Sequence, residues 1–246
     1  GCFLFCYTVV MPSKFIHLHT HSHYSLLNAL PKIPDLVEAA KKSGMGALAL
    51  TDSGNLYGAI EFYKACKEEG IKPIIGVDFY VAIRTRMDKQ AGVDNRRTRL
   101  VLLAKDLTGY KNLIHLVTRS HLEGFYYKPR IDRELIEKYH EGLVCISPSF
   151  SGDITHALKA LDTERALALA DWYKKLFGSD FFIEITHHPE IEGHETLMKS
   201  LIEIAKSASV PLVAAHDVYY IHPEDRKARE TMLSIQSGDN EEKNTG

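Results

Sequence analysis

No two cysteines stand at C-x-x-C spacing: Cys2, Cys6, Cys66 and Cys145 are scattered along the chain. That suits a reducing compartment, leaves room for at most a lone thiolate ligand, and makes simple burial the expected fate of Cys66 and Cys145. Long apolar runs are also missing. The opening GCFLFCYTVV is too short to span a bilayer, has no basic stretch ahead of it and no small-residue cleavage site before Pro12. It reads as sequence upstream of a start at Met11 or as an extra edge strand, so residues 1–14 are set apart as an N-terminal extension. Nor is there an excess of either charge. With 30 Lys and Arg against 32 Asp and Glu, the formal net charge is -2, so contact with a polyanion has to come from a local patch or from residues outside this chain. Low complexity is confined to the polar end SGDNEEKNTG, which reads as a truncation. What remains, 246 residues at 45% hydrophobic and 25% charged, is enough for one barrel-sized domain with its own core.

Histidine is concentrated in one place. FIHLHTHSHYSLLNAL, from Phe15, sets His17, His19, His21 and His23 at strict alternation. In a strand, i and i+2 share a face, so the four imidazoles are expected on one side and Ile16, Leu18 and Thr20 on the other. Neutral imidazole is the commonest metal ligand, and a strand end holds it rigidly, so the segment points to a metal site at the end of a first strand.

Strand and helix signals then alternate. After the histidines, Pro34 opens a helical period that ends at Gly44. ALALTD (47 to 52), IKPIIGVDFYVAI (71 to 83), RLVLLAKD (99 to 106), GLVCISPS (142 to 149), FFIEITHH (181 to 188) and VPLVAAHDVYY (210 to 220) read as strands, with helices between most of them. Seven strands in this arrangement predict an α/β fold over residues 15–222, a closed or nearly closed parallel β/α barrel of the TIM-like kind in preference to an open doubly wound sheet, with 223–246 beginning a linker or a further domain. Polar residues recur at the strand ends: His19 and His21, Asp52, Asp78, Glu184 with His187 and His188, then His216 and Asp217. A single site ringed by strand ends accounts for the recurrence. Two stretches stand outside the pattern. RTRMDKQAGVDNRRTR, from Arg84 to Arg99, is a polar loop and the one local basic patch, and EGFYYKPRIDRE, from Glu123, clusters aromatic and basic residues suited to holding phosphate or a neighbouring domain.

Taken together, HTHS from His19, LALTDSGNLYGAIEFYKACKEEGIKPIIGVDFYVA from Leu48, LLAKDLTGYKNL from Leu102, EGFYYKPRIDRE from Glu123 and VAAHDVYY from Val213 resemble the polymerase and histidinol phosphatase (PHP) domain found at the N-terminus of bacterial replicative DNA polymerase III alpha subunits. The likeness runs from about Phe15 to Gln236. It implies a distorted, seven-stranded parallel β/α barrel of the PHP type that in some members carries a metal-dependent 3′-5′ exonuclease. It also implies a longer chain that copies DNA with Mg²⁺, takes DNA and dNTPs, and works in the cytoplasm with replisome partners such as a proofreading exonuclease and a sliding clamp. No residue of that polymerase centre falls here, so no catalytic residue is assigned.

By the same resemblance His19, His21, Asp52, Asp78 and Asp217 are candidate metal ligands, with His216 beside Asp217 as a further one from its place at the strand end, while the basic loop and the aromatic-basic cluster make Arg97, Arg99 and Arg130 candidate phosphate or DNA contacts. The chain departs from the family where metal is held. Asn28 replaces an Asp, Ser53 a His, Asp78 a Glu, Arg99 a His, Ser149 a Cys or His, and Tyr219 a ligand of the last motif. Arginine stays cationic and hydroxyls ligate poorly unless ionised. The expectation is a degenerate site with none or one Zn²⁺ or Mn²⁺, and a mainly structural, partner-binding role. The alternative is an active phosphoesterase that trims 3′ ends or splits pyrophosphate.

Overall fold

In the computed structural model, residues 15–237 are described. The expectations for residues 1–14 and for the polar end after 237 lie outside them. The chain runs β1 (His19–Thr20), α1 (Ile33–Lys42), β2 (Ala47–Leu50), α2 (Ala59–Glu69), β3 (Lys72–Ala82), β4 (Arg97–Ala104), α3 (Leu107–Leu122), β5 (Phe125–Tyr126), β6 (Lys128–Ile131) and α4 (Arg133–Lys138). It continues through β7 (Leu143–Ser147), α5 (Asp153–Lys159), α6 (Thr163–Phe177), β8 (Phe181–Ile185), α7 (His194–Ser207), β9 (Leu212–Ala214), β10 (Asp217–Val218) and α8 (Arg226–Ser237).

Local signals set these boundaries. Proline sits in the first turn of α1, and Leu36, Val37 and Ala40 form its buried face. Aspartate side chains cap α3, α4 and α6: Asp106 accepts from Gly109 N–H, Asp132 from Leu135 N–H and Asp162 from Arg165 N–H. Gly70, at φ 72°, ends α2 in the left-handed conformation that glycine tolerates.

The sheet is mixed, which corrects the expected all-parallel barrel. β2 and β3 are parallel, as are β7, β8 and β9, whereas β4 runs antiparallel to both β3 and β7. Parallel neighbours need a long crossover, usually helical, and the polar stretch between β3 and β4 forms no helix, so the chain returns as a wide hairpin. Register pairs Gly76 with Leu103 and Ala82 with Arg97. A Cβ on Gly76 would lie 2.5 Å from Leu103 Cδ2 and 2.7 Å from Leu102 O, so the close approach of these strands requires glycine there. Ten strands are present among the described residues rather than seven, the additions including the short β5–β6 hairpin, whose β6 pairs with β3.

β1 pairs with β10, matching His19 to Asp217, and touches β2 through Ala49 N–H to His17 O and Thr51 N–H to Thr20 O. β8 pairs with β9, the chain passes directly from β9 to β10, and β10 pairs with β1, whose bonds to the β2 segment bring the wall round into a distorted α/β barrel. Side chains alternate across β4: Leu100 and Leu102 join the large core under the helices, and Val101 and Leu103 join the smaller cluster with Ala49 and Ile146. No helix among the described residues is long and apolar enough to cross a membrane.

Candidate metal centre

Four strands that end at one rim of the barrel, and one that begins there, supply the site. His19 lies on β1, Asp78 on β3, Glu184 on β8 and Asp217 on β10. Because β4 is antiparallel, its starting residues reach the same rim, bringing Arg99 to Asp78. His19, His21, Asp78 and Glu184 are buried, while the Asp217 side chain is 32% exposed and forms the mouth.

Hydrogen bonds orient the two rings. His19 Nδ1 donates to Glu184 Oε2 at 3.0 Å, and Glu184 is itself fixed by the Ser149 N–H and Oγ, each 3.0 Å from Oε1. His21 Nδ1 donates to Ser25 Oγ at 3.0 Å, and Ser25 Oγ donates to Asp52 Oδ1 at 2.6 Å. A carboxylate behind each imidazole is the usual arrangement around metal-bound histidine, since it leaves Nε2 for the ion. Both Nε2 atoms face Asp217 Oδ1, at 3.3 Å for His19 and 2.8 Å for His21. His21 Nε2 and Asp217 Oδ1 are buried atoms that face each other at 2.8 Å without hydrogen-bond geometry and have no other hydrogen-bond partner among the described residues. One ligand atom from each of His19, His21 and Asp217 falls within 4.8 Å of the others, a donor set that fits one Zn²⁺-like or Mn²⁺-like ion.

His19 Nε2 also lies 3.3 Å from Asp78 Oδ2. Burial pulls the His19 pKa down, but the charges of Asp217, Asp78 and Glu184 override it and hold the ring well above its ordinary value. The Nε2 position therefore calls for a positive charge, carried by a proton or by a metal.

Asp78 has a second cation. Arg99 Nε donates to its two oxygens at 2.9 and 3.0 Å, Nη2 also contacts Asp78 Oδ2, and Nη2 donates to Ser53 Oγ at 2.9 Å. The guanidinium stacks 4.1 Å from the centre of the Tyr80 ring. Burial would raise the Asp78 pKa, yet Arg99 first and His19 next keep it below the ordinary value. On the far side, Tyr219 O–H donates to Asp217 Oδ2 at 2.7 Å, and its ring lies parallel to His21 at 4.4 Å. Arg229 of α8 covers Tyr219 at 4.0 Å and donates through Nε to Asn28 O.

Of the residues singled out from sequence, His19, His21 and Asp217 come together with Asp78 beside them. Asp52 does not reach the centre: Ser22 N–H, Ser22 Oγ and Ser25 Oγ occupy its oxygens, and Ser25 Oγ is in turn 3.0 Å from His21 Nδ1. His216, just ahead of β10, is exposed, with its ring 5.1 Å from that of His188. The four-histidine comb divides. β1 ends at Thr20, and His23, already in the following turn, stacks on Tyr24.

Arg130 is corrected outright as a phosphate contact. It is fully buried and donates to four backbone carbonyls, those of Gly124, Asp94, Arg86 and Asp88. The basic loop is largely neutralised as well, with Arg84 on Asp94 and Arg86 on Glu123, Asp132 and Glu134. Arg97 lies 5.4 Å from the Tyr80 ring and donates to Asn95 O. Glu184, Ser149 and Ser25 are site residues that were not assigned as ligands from sequence; Glu184 gave a signal as an acid at a strand end and Ser149 as a departure at a metal position, while Ser25 gave none.

Comparison with known proteins agrees with this geometry. The family model described as PHP domain matches residues 17–188. DNA polymerase III subunit alpha of Borreliella burgdorferi is 45% identical over 92% of this chain, and that of Aquifex aeolicus 41% over 92%. In both cases the match takes in 20% of the relative, so the chain spans about a fifth of the length of these curated relatives. Among solved structures, a Bifidobacterium adolescentis protein named for an inferred metal-dependent phosphoesterase activity superposes with TM-score 0.55 at 12% identity, covering 85% of this chain and 89% of that one. A two-domain Bacteroides vulgatus protein, described as containing a predicted PHP-like metal-dependent phosphoesterase, gives 0.51 at 13% identity, covering 92% and 55%. These two likenesses concern the fold. With the family model matching from His17 to His188 and the strand-end site built as described, the chain belongs to the PHP-domain family.

Proposed function

We propose that this chain is the N-terminal PHP region of a replicative DNA polymerase alpha subunit, and that its own centre holds a single metal ion in a mainly structural, partner-organising role. The observation that carries the reading is the Arg99 guanidinium on Asp78 and Ser53. A multi-metal nuclease needs further ions near that carboxylate, and a fixed cation there opposes them. His19, His21 and Asp217 would hold the one ion. When bound, it supplies charge neutralisation and a Lewis acid at the mouth of the barrel. The chain's own residues do the remainder: Glu184 and Ser25 orient the rings, and Tyr219 and Arg229 cover one side.

Templated DNA synthesis with Mg²⁺, the binding of DNA and dNTPs, docking of a proofreading exonuclease and a sliding clamp, and a cytoplasmic location belong to this reading. The relatives' names and the 41 to 45% identity support it. The test is elemental analysis of the purified chain paired with a phosphodiester assay in added Zn²⁺ and Mn²⁺. One ion per chain without hydrolysis is expected, and three tightly held ions would overturn the proposal.

A second reading, an active phosphoesterase on nucleic-acid ends, is favoured by a cleft beside Ser53. It has a volume of about 230 Å³, and Tyr24, Tyr57, Tyr80, Phe125 and Tyr127 line it with Lys128. Aromatic faces beside cations suit stacked single-stranded bases, and Arg97 borders the same Tyr80 ring. Hydrolysis of a single-stranded oligonucleotide that is lost in Asp217→Asn would establish this reading over the first.

A further inference from the structure

Outside the centre above, three histidines cluster, with His188 between His194 and His216. His188 follows β8, His194 opens α7 and His216 precedes β10. The His188 ring centre is 5.4 Å from that of His194 and 5.1 Å from that of His216. Two imidazoles on one tetrahedral ion, with nitrogen to metal distances of ~2.0 Å, place their ring centres about 5 Å apart. The pair His19 and His21, whose nitrogens already converge, shows 5.4 Å.

His194 is built as a ligand. It is 4% exposed, and its Nε2 donates to Thr186 O at 3.0 Å. That bond fixes the tautomer and leaves the lone pair on Nδ1, a buried atom without a hydrogen-bond partner. Phe150 stacks on the same ring at 5.1 Å and lies 5.5 Å from His188, an apolar wall that excludes water from one side. His188 donates from Nδ1 to Glu190 Oε1 at 3.0 Å, again a carboxylate behind an imidazole, which frees Nε2. His216 is exposed and has room to turn.

We propose that His188, His194 and His216 form a second site, separate from the first, for a transition-metal ion that favours imidazole, such as Zn²⁺, Ni²⁺ or Cu²⁺. The His188 ring now meets each of the other two edge to face, so binding requires His188 and His216 to turn about their side-chain bonds and bring their free nitrogens to His194. Such an ion would tie together three segments: the loop after β8, the start of α7 and the turn between β9 and β10. His216 contacts His188 while Asp217 contacts His19 and His21, so filling one site does not require the other.

The test uses the metal-stripped 246-residue chain titrated with Co²⁺ and with Cu²⁺, read by visible absorption and by the nitrogen couplings in electron paramagnetic resonance. Two ions are expected to bind. His188→Ala and His216→Ala should each weaken one of them by about tenfold or more, while Asp217→Asn weakens only the other. Circular dichroism checks the fold, which an exposed position such as His216 leaves intact. If Asp217→Asn changes nothing but His216→Ala abolishes the single ion bound, the second site stands and the proposed single-ion centre at His19, His21 and Asp217 fails. Binding that is indifferent to both His188→Ala and His216→Ala overturns the proposal.

Discussion

At Asp78 a side chain already supplies the positive charge that a buried carboxylate needs. Arg99 does so from 13% exposure onto an acid that is 1% exposed. Removing one partner of such a pair leaves the other buried and uncompensated, so Arg99→Ala should cost about 3 kcal/mol in urea unfolding, whereas chelator should move the midpoint far less. Equal, small effects of both would contradict the assignment. Asp52 gives a second expectation. Asp52→Asn loses the carboxylate that receives Ser25 Oγ, loosens the His21 ring and should lower Zn²⁺ affinity by roughly 10-fold to 100-fold in calorimetric titration. Much of this was legible in residue types at strand ends, as for His19, His21 and Asp217. What hid the role of Asp52 was the turn from Ser22 to Ser25, whose hydroxyls reach it first. Arg130 was hidden more deeply, because no pattern in sequence announces four carbonyls converging on one guanidinium.

Among the elements, β4 is where reading the chain fell short. Apolar alternation in RTRLVLLA marks a strand but carries no sign of its direction. Direction came from the loop before it, too polar and too irregular for a crossover helix. That loop is organised by Asp94, which accepts from Arg84 and from Gln90 N–H, and Arg84 holds the Asp94 carboxyl down to about 2. A carboxylate depressed on folding contributes stability above its unfolded value, ~3.9, and loses it as pH falls through the folded one. Asp94→Asn should therefore be less stable than the parent at neutral pH, with the difference closing between about pH 4 and pH 2 in acid titrations of the melting curve. A difference that stays constant across that window would show that the carboxylate charge is not what matters.

For the whole molecule, length, strand spacing and the turn residues sufficed for a distorted barrel, because strand and helix signals alternate regularly on both sides of the irregular stretch from Arg84 to Arg130. The barrel is completed by its most distant parts. Asn28 and Arg229, hydrogen-bonded across the top, are 201 residues apart, and the His19 to Glu184 bond spans 165. Contacts between such remote segments carry a large loop-closure cost and form after nearer ones are in place. The consequence is one of timing: β1 meets β10 late, so His19 and Asp217 are not yet neighbours at the folding barrier. An ion that needs both should leave the refolding rate unchanged and slow unfolding by the whole of its stabilisation, a split that stopped-flow traces with and without Zn²⁺ would resolve. In this protein the metal would act as a latch closed after assembly, lengthening the life of the native state without hastening its arrival.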